Sequence, residues 1–304
     1  PEPARAFLEA ERGAALVLLA QAWLQSDTFN ELRQLPGLSA EGDWKNDPRR
    51  ARQAVLDFLG GVPPAIWWSL PSFITAVHQQ SPDFQRPAGD YDSWFIRHQP
   101  SGEFLRGFEH WDAVDGALLR YLICGPLHWL GMLDLGSPAI EAAPTAFRFT
   151  AWAESLLHGQ PPTGLPGEEI SGLLARSDAR LFSPRRLQRL ARYQVARFCE
   201  WEKVTPEGYH YRLTPASLDR ARNQGLAVAH LLALLRKHAG TVPPSLLRAL
   251  ERWEQHGAQA RLEAMVVLRV TAPEVLLALR ASRAARYLGE PLSPTAVAIK
   301  PGAA

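Results

Sequence analysis

The residue types that most often carry out catalysis come closest together between positions 110 and 128. His110, Asp112 and Asp115 precede Cys124 and His128 in the chain. A histidine beside a carboxylate can act as a general acid–base pair, and histidine with cysteine can bind zinc. On a helix, however, residues two apart point to different sides, and a Gly-Pro pair interrupts the helix before His128. We therefore interpret these five residues as caps, surface residues and a packed histidine rather than as catalytic residues.

Motifs for nucleotide binding and hydrolysis are absent from the sequence. There is no Gly-x-x-x-x-Gly-Lys-Ser/Thr, Gly-x-Gly-x-x-Gly, Gly-x-Ser-x-Gly or His-Glu-x-x-His pattern. The two cysteines, Cys124 and Cys199, are too few for a disulfide framework or a four-cysteine metal site. We therefore predict a protein that is not an enzyme and that needs no cofactor and no metal.

Basic residues in the second half of the chain recur at spacings that suit phosphate groups. The sequence predicts a helix that begins at Ser183-Pro184 and continues through Glu200, with an apolar stripe along one side. Arginines three or four positions apart lie on another side, where they could neutralise successive phosphates. A solvated face paired with acidic residues elsewhere in the fold is the alternative interpretation. The candidate nucleic-acid-binding residues of this helix are Arg185, Arg186, Arg189, Arg192 and Arg197.

Two further groups of basic residues extend this prediction. A helix predicted over Pro273–Arg286 carries arginines three positions apart, and a basic residue flanks each side of the turn between two leucine-rich helices. Such a helical hairpin can place its second helix in a groove of DNA. The turn Lys237–Pro244 is long for that motif, so a packing role is favoured. The candidate nucleic-acid-binding residues in these groups are Lys237, Arg248, Arg280, Arg283 and Arg286.

Charge is distributed unevenly along the 304 residues. Residues 1–160 contain 12 basic and 19 acidic residues, a net −7, whereas residues 161–304 contain 21 basic and 12 acidic residues, a net +9. The asymmetry indicates that the two halves have different roles or different partners. Eight of the ten tryptophans lie in the acidic half, whose negative charge opposes phosphate binding. We therefore predict that Trp111 and Trp129 are core residues and not base-stacking platforms.

Helices predominate in the acidic half. Apolar residues recur at helical spacing in four stretches, and Asp47-Pro48 supplies an N-cap followed by proline in the first turn. A long structured connection is predicted over Ser81–Gly107, which is rich in proline, glycine and aromatic residues. The four predicted helices are Ala4–Gln25, Arg49–Leu59, Ser69–Val77 and Trp111–Cys124.

The end of the acidic half has the element order of a winged helix. A short helix is predicted at Leu127–Met132, followed by strands at Leu133–Leu135 and Phe147–Thr150. Thr150 then caps a helix over Ala151–Leu157, since a threonine hydroxyl can accept hydrogen bonds from the free N–H groups of the first turn. The stretch therefore resembles winged-helix modules, in which a strand pair covers a helical core.

A segment rich in proline and glycine, Gly159–Gly172, separates the two halves. We predict a domain boundary there, with one domain over residues 1–160 and another over residues 161–304. A buried strand is predicted at Met265–Val270. The other predicted elements of the second domain are the strand Tyr209–Leu213, the helices Thr214–Asn223, Leu226–His238 and Pro243–His256, and the strand Ala296–Ile299. The predicted fold class is α+β and mainly α, with a helical first half and few short strands in the second.

The run Tyr211-Arg212-Leu213-Thr214-Pro215-Ala216-Ser217-Leu218 carries a more specific pattern. A strand leads through Leu-Thr-x-x-Ser-Leu into a helix with a glycine stop, then into a leucine-rich helix and a proline-initiated helix that ends near a tryptophan. Further residues of the pattern are Ala221, Gly225, Leu231, Leu232, Leu235, Val242, Pro243, Leu250 and Trp253, with Val266–Val270 and Leu288–Ala296. Residues 180–304 thereby resemble the helicase-associated domain, found in bacterial proteins, that is related to the N-terminal domain of XPB-type DNA helicases. The resemblance implies a non-catalytic module beside DNA-handling machinery, and it carries over no catalytic residue.

The sequence therefore predicts a cytoplasmic, non-enzymatic protein that binds DNA through its basic half. It has no apolar run long enough to cross a membrane and no secretory signal. The main alternative is a protein adaptor, whose acidic, tryptophan-rich half binds a helicase, a nuclease or a transcription partner. A winged-helix regulator with Arg148 on its wing and an unrecognised enzyme, for which metal-dependent nuclease activity is the test, are less favoured. The start at Pro1, without an initiator methionine, is compatible with a chain cut from a longer protein.

Overall fold

The computed structural model describes residues 2–86, 89–169, 171–257 and 265–300. Within these residues, helices alternate with small antiparallel sheets, so the fold is α+β and mainly α, as the sequence predicts. The helices are α1 Glu2–Glu9, α2 Arg12–Gln25, α3 Pro48–Gly60, α4 Leu70–Gln80, α5 Ala117–Leu122, α6 Ala153–Leu157, α7 Arg189–Ala196, α8 Pro215–Asn223, α9 Val228–His238, α10 Pro244–His256 and α11 Pro273–Ala281. The strands are β1 Leu38–Glu41, β2 Trp68–Ser69, β3 Phe95–His98, β4 Leu133–Gly136, β5 Ala146–Phe149, β6 Leu174–Ala175, β7 Arg180–Pro184, β8 Glu200–Val204, β9 Gly208–Arg212, β10 Val267–Arg269, β11 Leu288–Ser293 and β12 Ala296–Ile299.

The core of the acidic half is built around the helical stretch that follows Trp111. This stretch contains α5 between two wider π-type turns and reaches Leu127, so the helix predicted there is confirmed. Trp111 is buried, as predicted. Trp129 is 63% exposed, so its predicted core position is wrong. The physical reason is the backbone of Gly125, which has non-helical angles and changes the direction of the chain before Trp129.

The predicted wing strands form and pair with each other. β4 and β5 are antiparallel, with Leu133 opposite Phe149, and β2 extends the sheet beyond β5. The Thr150 hydroxyl accepts a 3.2 Å hydrogen bond from the N–H of Trp152 and donates a 2.6 Å hydrogen bond to the carbonyl of Gly131. It therefore caps the turn before α6, which begins two residues later than predicted. The winged-helix class stays a prediction.

Three further predicted elements differ from the structure, apart from the helix predicted over residues 183–200. The helix predicted over residues 4–25 is two helices, because Glu11 has an extended backbone between α1 and α2. The helix predicted over residues 273–286 ends at Ala281, and Ser282 caps a separate 3-10 turn there by accepting the N–H of residue 284. The strand predicted as buried at residues 265–270 is β10, an edge strand with two of its three side chains exposed.

Among the described residues, buried apolar side chains form three separate hydrophobic clusters. One extends from Ala20 to Leu156, the second from Leu173 to Leu250, and the third joins α11 to β11 and β12 around Val297. The predicted division into domains at residue 160 stays a prediction. In the described parts of the chain, no helix combines the length and the hydrophobicity needed to cross a lipid bilayer.

Candidate nucleic-acid interface

The basic half is organised around a four-stranded antiparallel sheet with the order β6-β7-β9-β8. β7 pairs with β9 from Arg180 opposite Arg212 to Pro184 opposite Gly208. A Cβ atom at position 208 would overlap the carbonyl oxygen of Ser183, so the close approach of these strands requires glycine. The sheet thus fixes the position of the chain just before α7.

The helix predicted over residues 183–200 is wrong at both ends. This segment contains the end of β7, the helix α7 and the start of β8. Arg185 and Arg186 lie in the turn before α7, and Arg197 follows its last residue, so only Arg189 and Arg192 belong to the helix. The reason is the alternation of buried and exposed side chains in β7, which packs the strand on the core and ends it at proline. The predicted continuous arginine stripe therefore does not form.

Arg189 is held by the first helix of the chain. Its Nε and Nη2 atoms donate to the carbonyl oxygens of Phe7 and Ala10, over 3.2 and 2.7 Å. Its Nη1 atom forms a 3.0 Å ion pair with Glu168, and its side chain is only 15% exposed. These carbonyls belong to the C-terminal end of α1, where a helix leaves carbonyl groups unpaired and favours a cation. Arg189 is therefore a contact between α1 and α7 and is not open to phosphate.

Arg185 and Arg186 are also engaged, although both are exposed. Arg185 donates to the carbonyl oxygens of Thr205 and Pro206, at 2.9 and 2.8 Å, which lie in the β8–β9 hairpin. Arg186 forms an ion pair and a hydrogen bond with Glu169. The partners of Arg185 are neutral carbonyl groups, so its positive charge is not neutralised. The positive charge of Arg186 is neutralised by the Glu169 carboxylate.

Aromatic rings and arginines are in contact where side chains of α7 pack against the four-stranded sheet. The Arg192 guanidinium lies 4.1 Å from the ring centroid of Tyr209, and that of Arg185 lies 5.5 Å from the same ring. Trp201 on β8 packs against Tyr209, with ring centroids 5.6 Å apart. We call Arg185, Arg192, Trp201 and Tyr209 the aromatic patch. Cation–π contacts of this kind hold a charged group at the surface without neutralising it.

A groove lies between α7 and α9 and has a volume of about 420 Å³. Arg197 and Lys237 are the two cationic residues along it, and its floor is apolar. Arg197 donates a 3.4 Å hydrogen bond to the side-chain oxygen of Gln224, which leaves its charge unpaired by any carboxylate in the described ion pairs. The described residues that line this α7–α9 groove include no Asp or Glu: they are Gln194, Arg197, Phe198, Leu226, His230, Ala233, Leu234 and Lys237.

The aromatic patch and the α7–α9 groove lie on opposite flanks of α7. Arg192 and Arg197 are five positions apart, which places them about 140° from each other around a helix. Between these flanks, the outer side of α7 is covered by α1 through Arg189. The structure therefore places Arg185 and Arg192 on one surface and Arg197 on another.

The remaining predicted residues are exposed but lie elsewhere. Arg248 is on α10, and Arg280 is in the last turn of α11. Arg283 and Arg286 lie on the 3-10 turn after α11, with Arg286 stacked 4.6 Å from the ring centroid of Tyr287. Because the helix ends at Ala281, the predicted row of three arginines along one helix does not form.

The hairpin and α8 are joined by a capping box. The Thr214 hydroxyl accepts from the N–H of Ser217 at 3.1 Å, and the Ser217 hydroxyl accepts from the N–H of Thr214 at 3.0 Å. The same hydroxyls donate to a Glu200 carboxylate oxygen and to the Phe198 carbonyl, both at 2.7 Å. The cap thereby ties the start of α8 to the start of β8, which carries Trp201.

The residues considered for catalysis are not assembled into a site. Asp115 is buried and forms an ion pair with Arg86 at 3.0 Å and a hydrogen bond with Gln85 at 2.7 Å. Asp112 forms an exposed ion pair with Arg120. Among the residues that the structure describes, no cluster of histidine, cysteine, aspartate and glutamate could hold a metal ion.

A family model described as a helicase conserved C-terminal domain matches residues 173–291. The match includes the four-stranded sheet, the capping box, the aromatic patch and the α7–α9 groove. It supports a helicase-associated domain in this part of the chain, and the XPB-type relationship stays a prediction. No curated protein matches the chain.

The sequence patterns indicate neither Trp201 nor Tyr209 as a binding residue. Tyr209 lies on β9, where the sequence predicts a strand, whereas no strand is predicted at the position of β8, which carries Trp201. The sequence signal for β8 is the segment Glu200–Val204, which is followed by a turn that ends at Gly208. Such a run between polar turns is typical of one arm of a hairpin.

Proposed function

We propose that the protein is a non-catalytic, cytoplasmic accessory factor that binds DNA beside helicase machinery. In this proposal the α7–α9 groove contacts the phosphate backbone. The observation that carries the proposal is that Arg197 and Lys237 both line a groove whose described lining residues include no Asp or Glu. This groove lies inside the segment that matches the helicase family model. The XPB-type relationship and a winged-helix first half belong to the same proposal.

The chemistry of the groove suits a nucleic-acid backbone. Arg197 can donate two hydrogen bonds from its planar guanidinium to phosphate oxygens, and Lys237 supplies a point charge. The apolar floor, which includes the partly exposed Leu226 and Leu234, suits the sugar that lies between neighbouring phosphates. Contacts of this type position the protein on DNA and carry no sequence information. We therefore expect binding with little dependence on base sequence.

Binding of labelled DNA to the Arg197→Ala, Lys237→Ala double variant tests the proposal. Fluorescence anisotropy at low salt should show weaker binding than the wild type, by a similar factor for every base sequence. A matched control is the Lys45→Ala, Arg50→Ala double variant, which removes two exposed charges from the acidic half. Equal affinity of the groove variant and the wild type would contradict the assignment of the groove.

A second candidate function is a protein adaptor, and one observation favours it. Ile66, Trp67 and Trp68 follow one another on the acidic half, with exposed fractions of 55%, 47% and 37%. Contiguous exposed apolar residues often mark a protein-binding surface. Co-purification of a protein that survives nuclease treatment and is lost in the Trp67→Ser variant would support this function.

A further inference from the structure

The most exposed ring of the basic half is Trp201. It exposes 57% of its surface and lies on β8, an edge strand of the four-stranded sheet. Its indole is held by Tyr209 and Tyr211, with ring centroids 5.6 and 5.5 Å away and steep interplanar angles of 66° and 88°. The two tyrosines fix the indole, while more than half of it stays open to solvent. A ring that is held rigidly and exposed loses little conformational entropy when it binds a ligand.

Positive charge lies on the Tyr209 ring, which packs against Trp201. Arg192 is 4.1 Å from the Tyr209 ring centroid, and no described ion pair joins Arg192 to a carboxylate. Arg185 lies on the same ring and is fixed by backbone carbonyls. The acidic residue beside Arg185 is Glu207, whose pKa is lowered by a hydrogen bond with Thr205 and by the charge of Arg185. Because neither Arg185 nor Arg192 takes part in a described ion pair, the aromatic patch keeps a positive balance.

The two acidic residues of β8, Glu200 and Glu202, interact with groups outside the aromatic patch. Glu202 forms an ion pair with Arg180, 3.1 Å away, and Glu200 accepts the hydroxyl of Thr214. Because these carboxylates are satisfied by other groups, they do not cancel the charge of Arg192.

We propose that the aromatic patch binds single-stranded nucleic acid, with an unpaired base stacked on Trp201 and a neighbouring phosphate at Arg192. Stacking on an exposed aromatic ring is open to every base, and nearby cations hold the backbone. In a duplex the faces of each base are covered by the next base pair, so Trp201 has no face to stack on. The patch thus prefers single strands, whereas the α7–α9 groove binds phosphates of either form. This inference rests on the proposed function, because both require nucleic acid to reach the basic half.

The experiment compares three variants of the full chain, Trp201→Ala, Trp201→Phe and Trp129→Ala, on labelled oligothymidylate and on a labelled duplex of the same length. Trp129 is a matched control because its ring is also exposed, but it lies in the acidic half. We expect Trp201→Ala to weaken binding to oligothymidylate by roughly tenfold or more. Trp201→Phe keeps a flat ring and should retain most of the affinity. Duplex affinity should stay unchanged in all three variants.

The outcomes separate this inference from the proposed function. If the wild type binds both probes and Trp201→Ala has no selective effect on the single strand, the stacking site is wrong and the proposed function stands. Equal losses in Trp201→Phe and Trp201→Ala would also contradict stacking, because phenylalanine can stack. If the wild type binds neither probe at low salt, the proposed function fails and the stacking site fails with it.

Discussion

The guanidinium of Arg189 donates a 2.7 Å hydrogen bond to the backbone carbonyl of Ala10. This contact joins α7 to the C-terminal end of α1 across 179 positions of sequence. The same side chain stacks on Phe7, with its central carbon 5.0 Å from the ring centroid, and pairs with Glu168. A residue that the sequence suggests as a phosphate ligand therefore holds the two halves of the chain together.

Replacing Arg189 with alanine should loosen α1 without affecting DNA binding. The variant leaves two carbonyl groups and Glu168 without their partner, so we expect the free energy of unfolding to fall by about 1–3 kcal/mol. Hydrogen exchange should speed up in residues 2–10 and stay unchanged in β9. Arg189→Lys should rescue little, since an ammonium group cannot reproduce the planar fork. Unchanged exchange in α1 would show that the contact is not needed for its docking.

A strained alanine precedes β7 and offers a stabilising substitution. Ala179 has a φ of 63°, in the left-handed region where a Cβ atom is unfavourable and glycine is not. Ala179→Gly should therefore raise the free energy of unfolding by about 1 kcal/mol. Ala249→Gly on the exposed side of α10 is the control and should lower it by about 1 kcal/mol. Chemical denaturation of both variants tests the prediction, and destabilisation of both would contradict it.

Ser217 in the capping box should contribute more to stability than an ordinary helix cap. It is fully buried, and its hydroxyl satisfies both the N–H of Thr214 and the carbonyl of Phe198. We expect Ser217→Ala to cost about 1–3 kcal/mol, because two buried backbone groups lose their partner. Thr214→Ala removes the reciprocal cap and should cost about 1 kcal/mol. A double variant that costs less than the sum would show that the two hydroxyls act together, whereas full additivity would contradict the reciprocal geometry.

Neither cysteine should react readily in the folded protein. Burial raises the pKa of the Cys199 thiol to about 12 and also raises that of Cys124, which is only partly buried. Near pH 8 the Cys199 thiol is therefore almost entirely protonated, and the thiolate is the reactive form. Alkylation followed by mass spectrometry should label Cys124 slowly and Cys199 more slowly still, with both labelled at once in denaturant. Rapid labelling of native Cys199 would contradict its burial.

Local signals in the sequence were sufficient for most helices. Asp47 accepts the N–H groups of Arg49 and Arg50 at the start of α3, as its position before proline indicates. The Thr214 cap likewise marks the start of α8. Caps and proline positions are read within a few residues, so they depend little on the rest of the fold.

The candidate site was harder to predict because it depends on distant partners. β7 pairs with β9 across a helix and another strand, and no local pattern specifies that pairing. Because β7 continues to Pro184, Arg185 lies before the helix α7 and its guanidinium contacts the Tyr209 ring. Whether Arg189 is accessible to a ligand depends on α1, which lies at the other end of the chain and binds its guanidinium. Spacing alone predicted a row of cations, whereas tertiary contacts decided which of them stay open to a ligand.

The salt dependence of DNA binding tests the central claim most directly. Affinity for a duplex should be measured across a salt series for the wild type, the Arg197→Ala, Lys237→Ala variant and the Lys45→Ala, Arg50→Ala control. If the α7–α9 groove binds phosphates, the logarithm of the wild-type binding constant falls linearly with the logarithm of salt concentration. Loss of two phosphate contacts should make the slope of the groove variant shallower by about 1.8, at about 0.9 per contact, and the control should keep the wild-type slope. No measurable binding by the wild type at low salt, or the same slope for all three proteins, would contradict the claim.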